Sequence, residues 1–355
     1  MQRTDALCYH CKHKARHPLP VMPPSRKIAA KSTAKTPAKI PAKIPAKTAA
    51  TAASRAKPAP AGQRPSANPR LNGAMACDTA FRIVARRHLD ALNANHQATC
   101  DGDPNALHEM RIALTHLRTA ILFFSPMVHD AVRDEVRDEL KWLNSELGAV
   151  RDLDVAVDRV KALDQKRPQP TEVLNSWNEK RAEGHSYLAR ILNSVRYRWL
   201  IDQTTGWIEN GPWSTKKGKQ AAKERGSPIG PYSASKLEEW EDKLLKKSRK
   251  LRKMGIKKRH RLRLFNKKLT YSIDSLEDLF ADKKFSKQKS ALKHLSKAQK
   301  SLGQLNDAAR GSELAGDLEQ KGVQTPVQFL KPRRRKRLLK KASKAYRKLG
   351  GLRLS

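Results

Sequence analysis

The amino-acid sequence predicts an all-α fold in which two related helical units pack by pseudo-symmetry after a disordered basic tail. Apolar residues recur at helical spacing from Ala74 onward, and no stretch shows the strict apolar–polar alternation of a half-buried strand. Most of the 20 prolines precede residue 70, so the rest of the chain is free to form helices. We therefore expect a tail over residues 1–70 and a helical domain over residues 71–350.

The distribution of charge says more about binding partners than the formal net charge of +40. Residues 1–70 carry 15 Lys and Arg against one acid, residues 71–232 carry 23 against 21, and residues 233–355 carry 36 against 12. The tail and the second half of the helical region are therefore strongly basic, which predicts a polyanionic partner. Nucleic acid, inorganic polyphosphate and an anionic membrane surface all fit, and charge alone does not choose among them.

Cysteine use and hydropathy favour a soluble protein of a reducing compartment. Four cysteines in 355 residues are too few for a disulfide framework. No run approaches the roughly 18 apolar residues of a membrane-spanning helix, and the first residues lack the pattern of a secretion signal. We expect a cytoplasmic protein with no membrane span and no cofactor.

The tail contains a short cysteine–histidine cluster and a low-complexity repeat. Cys8, Cys11, His13 and His17 offer thiolate and imidazole groups to zinc, but their spacing does not fit a zinc finger. A disordered basic leader is therefore favoured over this weak metal candidate. Residues 18–70 are Lys/Ala/Pro/Thr repeats with too few apolar side chains to fold. They can hold nucleic acid or polyphosphate by charge, or serve as a solubilising leader.

Two basic helices are the strongest candidates for a binding site. At 3.6 residues per turn, His108, Arg111 and Arg118 fall on one stripe of a first helix, with Thr115 between the two arginines. The second helix, over residues 260–271, carries the corresponding polar groups His260, Arg263, Lys267 and Lys268. Cations repeated along a line suit a ligand that is a line of phosphates, because arginine offers bidentate donors and lysine a point charge.

A second motif follows each basic helix and indicates an internal repeat. Gly148, in Leu-Gly-Ala-Val-Arg-Asp, lies 40 residues after His108, and Gly303, in Leu-Gly-Gln-Leu-Asn-Asp, lies 43 residues after His260. The recurrence predicts two related helical units. A helix boundary is expected at Gly303, between helices near 284–302 and 304–321. The expected ranges are about 75–205 for the first unit, about 233–350 for the second, and about 206–232 for a linker rich in Gly, Pro, Lys and Ser.

These motifs resemble those of the CHAD family (conserved histidine α-helical domain), whose two signature helices read approximately His-x-x-Arg-x-x-x-basic-basic-x-Arg. The resemblance covers about residues 75–350, and both Leu-Gly motifs match the second signature of the family. Two departures lower the density of cations. Thr115-His116 replaces the first basic pair, and Thr270 replaces the last basic residue of the second helix.

The resemblance implies two pseudo-symmetric four-helix units that form one bundle, with a basic surface or channel that binds inorganic polyphosphate. Family members associate with polyphosphate granules in bacteria, so the implied location is the cytoplasm, at such granules. The residues expected to bind polyphosphate are His108, Arg111, Arg118, Arg151, His260, Arg263, Lys267 and Lys268.

Several of these residues also have a structural interpretation that the sequence leaves open. His108 and His260 fit a direct contact and a satisfied, partly buried histidine equally well. Arg151 with Asp152 fits an internal ion pair that orients the bundle as well as a phosphate contact. Residues 333–337, Arg-Arg-Arg-Lys-Arg, fit a nucleic-acid patch or an extension of the polyphosphate surface.

A catalytic role is the least favoured interpretation. Residues 239–243, Glu-Trp-Glu-Asp-Lys, fit the Glu-x-Glu-x-Lys motif of the CYTH triphosphatases. That motif needs a strand to direct alternate side chains together, whereas here it lies in a helical pattern. We predict non-catalytic polyphosphate binding that targets the protein to polyphosphate granules. A DNA- or RNA-binding accessory protein is the alternative, and a triphosphatase-type enzyme is third.

Overall fold

The computed structural model describes residues 69–164, 171–280, 286–320 and 329–352. Their regular structure is α-helical, apart from the 3₁₀ turns Leu251–Lys253 and Glu277–Phe280 and an isolated β-bridge. This confirms the all-α prediction for the part of the chain that the structure describes. The α-helices are α1 Cys77–Ala94, α2 His96–Cys100, α3 Pro104–Phe123, α4 Ala131–Asp164, α5 Thr171–Leu192, α6 Val195–Asn210, α7 Pro212–Thr215, α8 Lys219–Gly226, α9 Ile229–Ser248, α10 Ile256–Ser275, α11 Ser286–Glu319 and α12 Pro332–Gly350.

The main helices pack in the same order in the two halves of the bundle. In the first half α1 packs on α3, α3 on α4, and α4 on α5. In the second half α9 packs on α10, α10 on α11, and α11 on α12. The two four-helix units meet where α3 contacts α10 and where α4 contacts α11. The two basic helices of the repeat therefore lie side by side at the centre of the bundle.

Apolar stripes at helical spacing decide which face of each central helix turns inward. Burying each such side chain stabilises the fold by about 1.5–3 kcal/mol relative to leaving it exposed. The apolar stripe of each basic helix packs against its own unit. The cationic residues lie beside these stripes, where the two helices meet. The buried apolar residues are Leu107, Met110, Leu114 and Leu117 on α3, and Leu262, Leu269 and Ile273 on α10.

Two polar groups fix the start of α3 and the rotation of α10. The carboxylate of Asp103 accepts a hydrogen bond from the backbone nitrogen of Asn105 at 2.7 Å, and Pro104 occupies the first turn of α3. On α10, the buried Asn266 donates from Nδ2 to the carbonyl of Leu295 at 3.3 Å. The first basic helix thus begins at a defined residue, and the second is held against α11.

Residues 206–232, expected to be a linker, contain the end of α6, all of α7 and α8, and the start of α9. The rings of Trp207 and Trp213 are buried edge-on against Phe81 of α1, at centroid distances of 5.7 and 5.2 Å. Asp130 accepts a hydrogen bond from the indole nitrogen of Trp207 at 3.2 Å. Two large aromatic side chains thus outweigh the Gly- and Pro-rich composition of the segment. The boundaries of the two repeat units remain a prediction.

The glycines of the Leu-Gly motifs do not interrupt their helices. The boundary expected at Gly303 is absent, because α11 is continuous over Ser286–Glu319. Gly148 likewise lies within the continuous helix α4. A glycine inside a helix lowers its stability by about 1 kcal/mol relative to alanine, which tertiary packing readily offsets.

Two expectations fall outside the described residues: the tail over residues 1–68, and the metal candidates Cys8, Cys11, His13 and His17. Among the described helices, none combines the length and the apolarity that are needed to cross a bilayer.

Candidate functional site

The cations of the two basic helices converge where α3 meets α10. Burial, together with the charges of Arg263 and Arg111, lowers the pKa of Lys267 to about 8. Burial also lowers the pKa of Arg111; Arg263 and Arg151 act in the same direction, while Asp152 opposes them. We call Arg111, Arg151, Arg263 and Lys267 the central cluster. Its members come from three helices and lie close enough to repel one another.

Three members of the central cluster have no neutralising carboxylate. Within the residues that the structure describes, no carboxylate oxygen lies within 4.0 Å of a charged nitrogen of Arg111, Arg263 or Lys267. Nε of Arg263 is buried and has no hydrogen-bond partner in that part of the chain. Nζ of Lys267 lies 5.7 Å from the ring centre of Tyr271, which is a weak cation–π contact. Half-buried cations without partners are costly, so a bound anion would stabilise this arrangement.

Two aspartates stand at equivalent positions of the repeat beside the central cluster. Asp152 on α4 forms a salt bridge to Nε of Arg310 on α11 at 3.0 Å, which ties the two units together. Burial raises the pKa of Asp307 on α11, although Arg263 and Lys267 act in the opposite direction. The four cations of the cluster thus outnumber these two aspartates, and Asp152 is already paired with Arg310. The site keeps an excess of positive charge.

Arg151 is the member of the central cluster that has a partner of its own. Its Nη1 lies 3.7 Å from Oδ2 of Asp154 and donates to the carbonyl of Pro104 at 3.4 Å. Asp154 is fully buried and also accepts from Arg181 and His185, each at 2.8 Å. The sequence suggested an ion pair within Arg151-Asp152, but each residue pairs elsewhere. Arg151 therefore has an orienting contact as well as a place in the cluster.

The two signature histidines lie at equivalent positions and are exposed. Nδ1 of His260 lies 2.7 Å from Oδ1 of Asn306. Burial of the His108 ring and the nearby Arg151 lower the pKa of His108. Arg151 and Asn306 occupy the same position in the two Leu-Gly motifs. Each histidine therefore lies near this position in the Leu-Gly motif of its own unit. His260 is therefore exposed and has a partner in Asn306, whereas His108 is exposed as a residue while part of its ring is shielded from water.

Arg118 and Lys268 form a second cationic group, which we call the outer pair. Arg118 lies seven residues beyond Arg111 on α3, about 10 Å further along the helix. Burial lowers the pKa of Arg118, and burial together with Arg118 lowers the pKa of Lys268. Nε of Arg118 is buried and has no hydrogen-bond partner among the described residues. The cationic surface therefore continues from the central cluster along α3 and α10.

The threonines that replace basic residues are satisfied within their own helices. Oγ1 of Thr115 donates to the carbonyl of Arg111 at 2.7 Å, and Oγ1 of Thr270 donates to the carbonyl of Asn266 at 3.0 Å. Neither hydroxyl adds a donor to the cationic surface. The departures from the family pattern thus reduce the number of cations without adding another ligand contact.

His116, which interrupts the basic row of α3, turns into the core. Its ring stacks on Tyr271 at a centroid distance of 4.1 Å, and its Nδ1 lies 3.1 Å from Oγ of Ser275. Nε2 of His88 lies 2.7 Å from the same hydroxyl. Burial lowers the pKa of His116 to about 4 and that of His88 to about 3, so both rings are neutral at pH 7. The contact of His88 and His116 with Ser275 could not be predicted from the sequence, because residues so far apart in the chain leave no spacing pattern.

Gly148 gives the Leu-Gly motif of α4 a role beside Arg111. A Cβ atom at position 148 would lie 3.7 Å from Nη2 of Arg111, so the guanidinium lies across the glycine. At the equivalent Gly303 no described atom lies within 4 Å of such a Cβ. The motif recurs in the sequence, but only its first copy supports a cation.

The Glu-x-Glu-x-Lys motif lies in α9, as the helical pattern predicted. Glu239 is exposed and forms salt bridges to Lys236, at 2.9 Å, and to Lys243. Glu241 is buried, so the two glutamates point to different environments. The motif does not present a converging set of carboxylates.

Comparisons with known proteins agree with the helical fold. Among solved structures, the CHAD domain from the plant Ricinus communis is similar, with a TM-score of 0.65 and 23% identity over 82% of this chain and 99% of that one. At this identity the likeness shows the fold. No curated protein matches the chain significantly. The family model described as the CHAD domain matches residues 83–316, a range that contains both basic helices and both Leu-Gly motifs, and the chain belongs to the CHAD family.

Proposed function

We propose that this protein binds inorganic polyphosphate without transforming it, through the central cluster, the outer pair, His108 and His260. The observation that carries the proposal is the set of half-buried cations, Arg111, Arg263 and Lys267, that no described carboxylate neutralises within 4.0 Å. Their mutual repulsion is relieved by an anion that spans α3 and α10. The site therefore has an excess of positive charge that a bound anion would neutralise.

The arrangement matches a chain of phosphates more closely than a single anion. Cations follow α3 and α10 from the central cluster to the outer pair, over about 10 Å. Each arginine can donate two parallel hydrogen bonds to phosphate oxygens, and each lysine can move its point charge between neighbouring phosphates. Binding releases counterions from the polyanion, so the affinity is expected to fall steeply with salt.

Stable binding of this kind would place the protein at polyphosphate granules in the cytoplasm. The resemblance to granule-associated members of the family supports this location. The basic tail over residues 1–70 adds 15 Lys and Arg, which can contact the same polymer or nucleic acid without sequence preference. The helical domain over residues 71–350 supplies the shaped site.

The charge of the tail also supports the alternative, a DNA- or RNA-binding accessory protein. The central cluster offers little to a base, however. Tyr271 is half-buried and stacked on His116 at 4.1 Å, so its ring is not free to stack on a nucleobase. The triphosphatase alternative has less support, because Glu239 is occupied by Lys236 and Lys243. Polyphosphate binding fits the site best.

Competition between polymers on the full-length protein tests the proposal. Labelled long-chain polyphosphate is bound first, and unlabelled polyphosphate or duplex DNA is added at equal phosphate concentration and near-physiological salt. Polyphosphate is expected to displace the label at a concentration at least about tenfold lower than DNA, a difference of about 1.4 kcal/mol. Preferential displacement by DNA would overturn the proposal. Release of phosphate from triphosphate with Mg²⁺ would instead establish an enzyme.

A further inference from the structure

A second basic surface lies away from the central cluster, in the groove between α11 and α12. This groove encloses about 880 Å³ and is lined by nine Lys and Arg side chains, and no carboxylate of the described residues lines it. We call it the α11–α12 groove. Its charge is unmixed, unlike that of the central cluster, where Asp152 and Asp307 stand beside the cations.

The cations of the groove stand on two facing walls. The helices run antiparallel: His294 of α11 lies near Lys348 of α12, and Nη2 of Arg334 donates to Oε1 of Gln304 at 3.5 Å at the other end. One wall is therefore a straight stripe along about 21 Å of α12, and Lys297 and Lys300 of α11 face it. The stripe, at spacings of three and four residues, consists of Arg334, Arg337, Lys341, Lys344 and Lys348.

Folding alone does not account for this stripe. A neighbouring face of α12 holds the helix to the bundle through buried Ala342, Tyr346 and Leu349, and buried Leu338 lines the groove between the two faces. Like charges three or four residues apart destabilise a helix by a few tenths of a kcal/mol per pair. Among the described residues, none of the nine lining cations forms a salt bridge. The stripe therefore lowers the stability of α12 unless an anion in the groove neutralises its charge.

The shape and lining of the groove select a linear phosphate chain. Packed helices are separated by about 8–10 Å, so the channel between their outer side chains accepts one extended chain and is too narrow to surround a duplex. Among the described residues no Phe, Tyr or Trp lines it, and His294 is its one ring, so single-stranded nucleic acid would lose most of its stacking contribution. Every wall of the groove can bind the phosphate groups of such a chain.

One end of the α11–α12 groove leads toward the central cluster. Gln304 and Arg334 line the groove and also line a smaller cavity of about 260 Å³. That smaller cavity reaches Asp307, which lies beside Arg263 and Lys267. A long chain that leaves the groove at this end would pass Arg334 and Arg159, and also the carboxylates of Asp158 and Asp307, before it reaches the central cluster. Occupying both places with one chain raises the effective local concentration of phosphate at the second place.

We infer that the α11–α12 groove is a second, separate binding site for a linear phosphate chain. The inference takes its ligand class from the proposed function and assigns it a new location. Short chains fill the groove and the central cluster independently, whereas one long chain spans both.

Calorimetric titration of the full-length protein with a short polyphosphate tests this inference. The groove variant carries Lys300→Ala, Arg337→Ala and Lys341→Ala. The matched control, Lys293→Ala, Lys336→Ala and Lys340→Ala, removes the same charge from the same two helices at exposed positions that do not line the groove. The wild type and the control are expected to bind one more molecule than the groove variant binds. Circular dichroism verifies that all variants remain helical.

A second set of titrations separates this inference from the proposed function. The variant Arg111→Ala with Arg263→Ala is expected to lose the central site and keep the groove site. A groove variant that binds like its matched control would overturn the inference while leaving the proposed function intact. Two sites that persist in the Arg111/Arg263 variant would overturn the central site alone. Tighter binding of single-stranded DNA than of polyphosphate in the groove would overturn the ligand class.

Discussion

At the scale of single residues, the site is built from cations whose environment opposes their charge. Lys267 shows this most clearly, because burial, Arg263 and Arg111 all favour its neutral form. The sequence identified the residue types and the stripe, and the structure brings Arg111, Arg263 and Lys267 together. The sequence did not predict that Arg151 pairs with Asp154, because this contact depends on Asp154 being held in the core by Arg181 and His185.

The affinity for polyphosphate is expected to fall as the pH rises through about 8, the pKa of Lys267 in the free protein. A bound phosphate raises this pKa, so above pH 8 the complex holds more protons than the free protein. By linkage the affinity then decreases, by up to about tenfold per pH unit. Titrations from about pH 7 to about pH 9 measure this slope. Lys267→Arg, which stays charged, is the control and should show a flatter profile; equal slopes would contradict the assignment.

Replacing Lys267 by methionine is expected to stabilise the free protein. The pKa of Lys267 lies below its usual value of 10.5, so its charged form costs stability below pH 8, and that stability returns as the pH rises toward 10.5. Methionine keeps the apolar stem without the charge. We expect the free energy of unfolding at pH 7 to rise by on the order of 1–3 kcal/mol, measured by urea denaturation, while polyphosphate binding weakens. A less stable Lys267→Met protein would contradict this account; Lys267→Arg should show no gain.

At the scale of elements, the site depends on how two helices of different units face each other. The spacing of Leu107, Met110 and Leu114 on α3 sets the inward face, and Arg111 and Arg118 lie at the edge of that face, where α3 meets α10. Helix ends were harder to predict. Gly303 was expected to end a helix, yet α11 continues through it because Leu302 and Leu305 are buried on either side. The apolar periodicity of the sequence therefore predicted where the helices lie more accurately than it predicted where they end.

Gly148→Leu is expected to weaken polyphosphate binding by displacing Arg111. Alanine would make ordinary contact with Nη2 of Arg111 at 3.7 Å, but a leucine side chain extends into the position of the guanidinium. We expect at least about a tenfold loss of affinity, about 1.4 kcal/mol. Gly303→Leu is the matched control, because no described atom lies within 4 Å of its Cβ position. Equal effects of the two substitutions would show that Arg111 does not act through this contact.

At the scale of the whole molecule, two units of similar packing order carry very different charge. Residues 71–232 are nearly neutral, with 23 basic and 21 acidic residues, and the excess lies in residues 233–355. The repeat in the sequence predicted the two units, because His-x-x-Arg and Leu-Gly recur at similar offsets. The sequence did not predict the packing of residues 206–232, where buried Trp207 and Trp213 override the composition. Nor did it predict the α11–α12 groove, whose two walls come together only when α11 and α12 pack.

The central claim is tested most directly by Arg111→Ala with Arg263→Ala, made in the groove variant so that the groove does not contribute to the measured affinity. Each arginine contributes charged hydrogen bonds of about 1.5–3 kcal/mol, so the affinity for short polyphosphate is expected to fall about 100-fold or more. The melting temperature should stay the same or rise, because two half-buried, repelling charges are removed.

The control for this measurement is Arg137→Ala with Arg196→Ala in the same background. It removes the same charge from exposed arginines that pair with Asp134 and Glu139. The account predicts that calorimetry finds the control within about twofold of its parent, about 0.4 kcal/mol, while the Arg111/Arg263 protein loses binding and remains folded. An unchanged affinity in the Arg111/Arg263 protein, or an equal loss in the control, would contradict it.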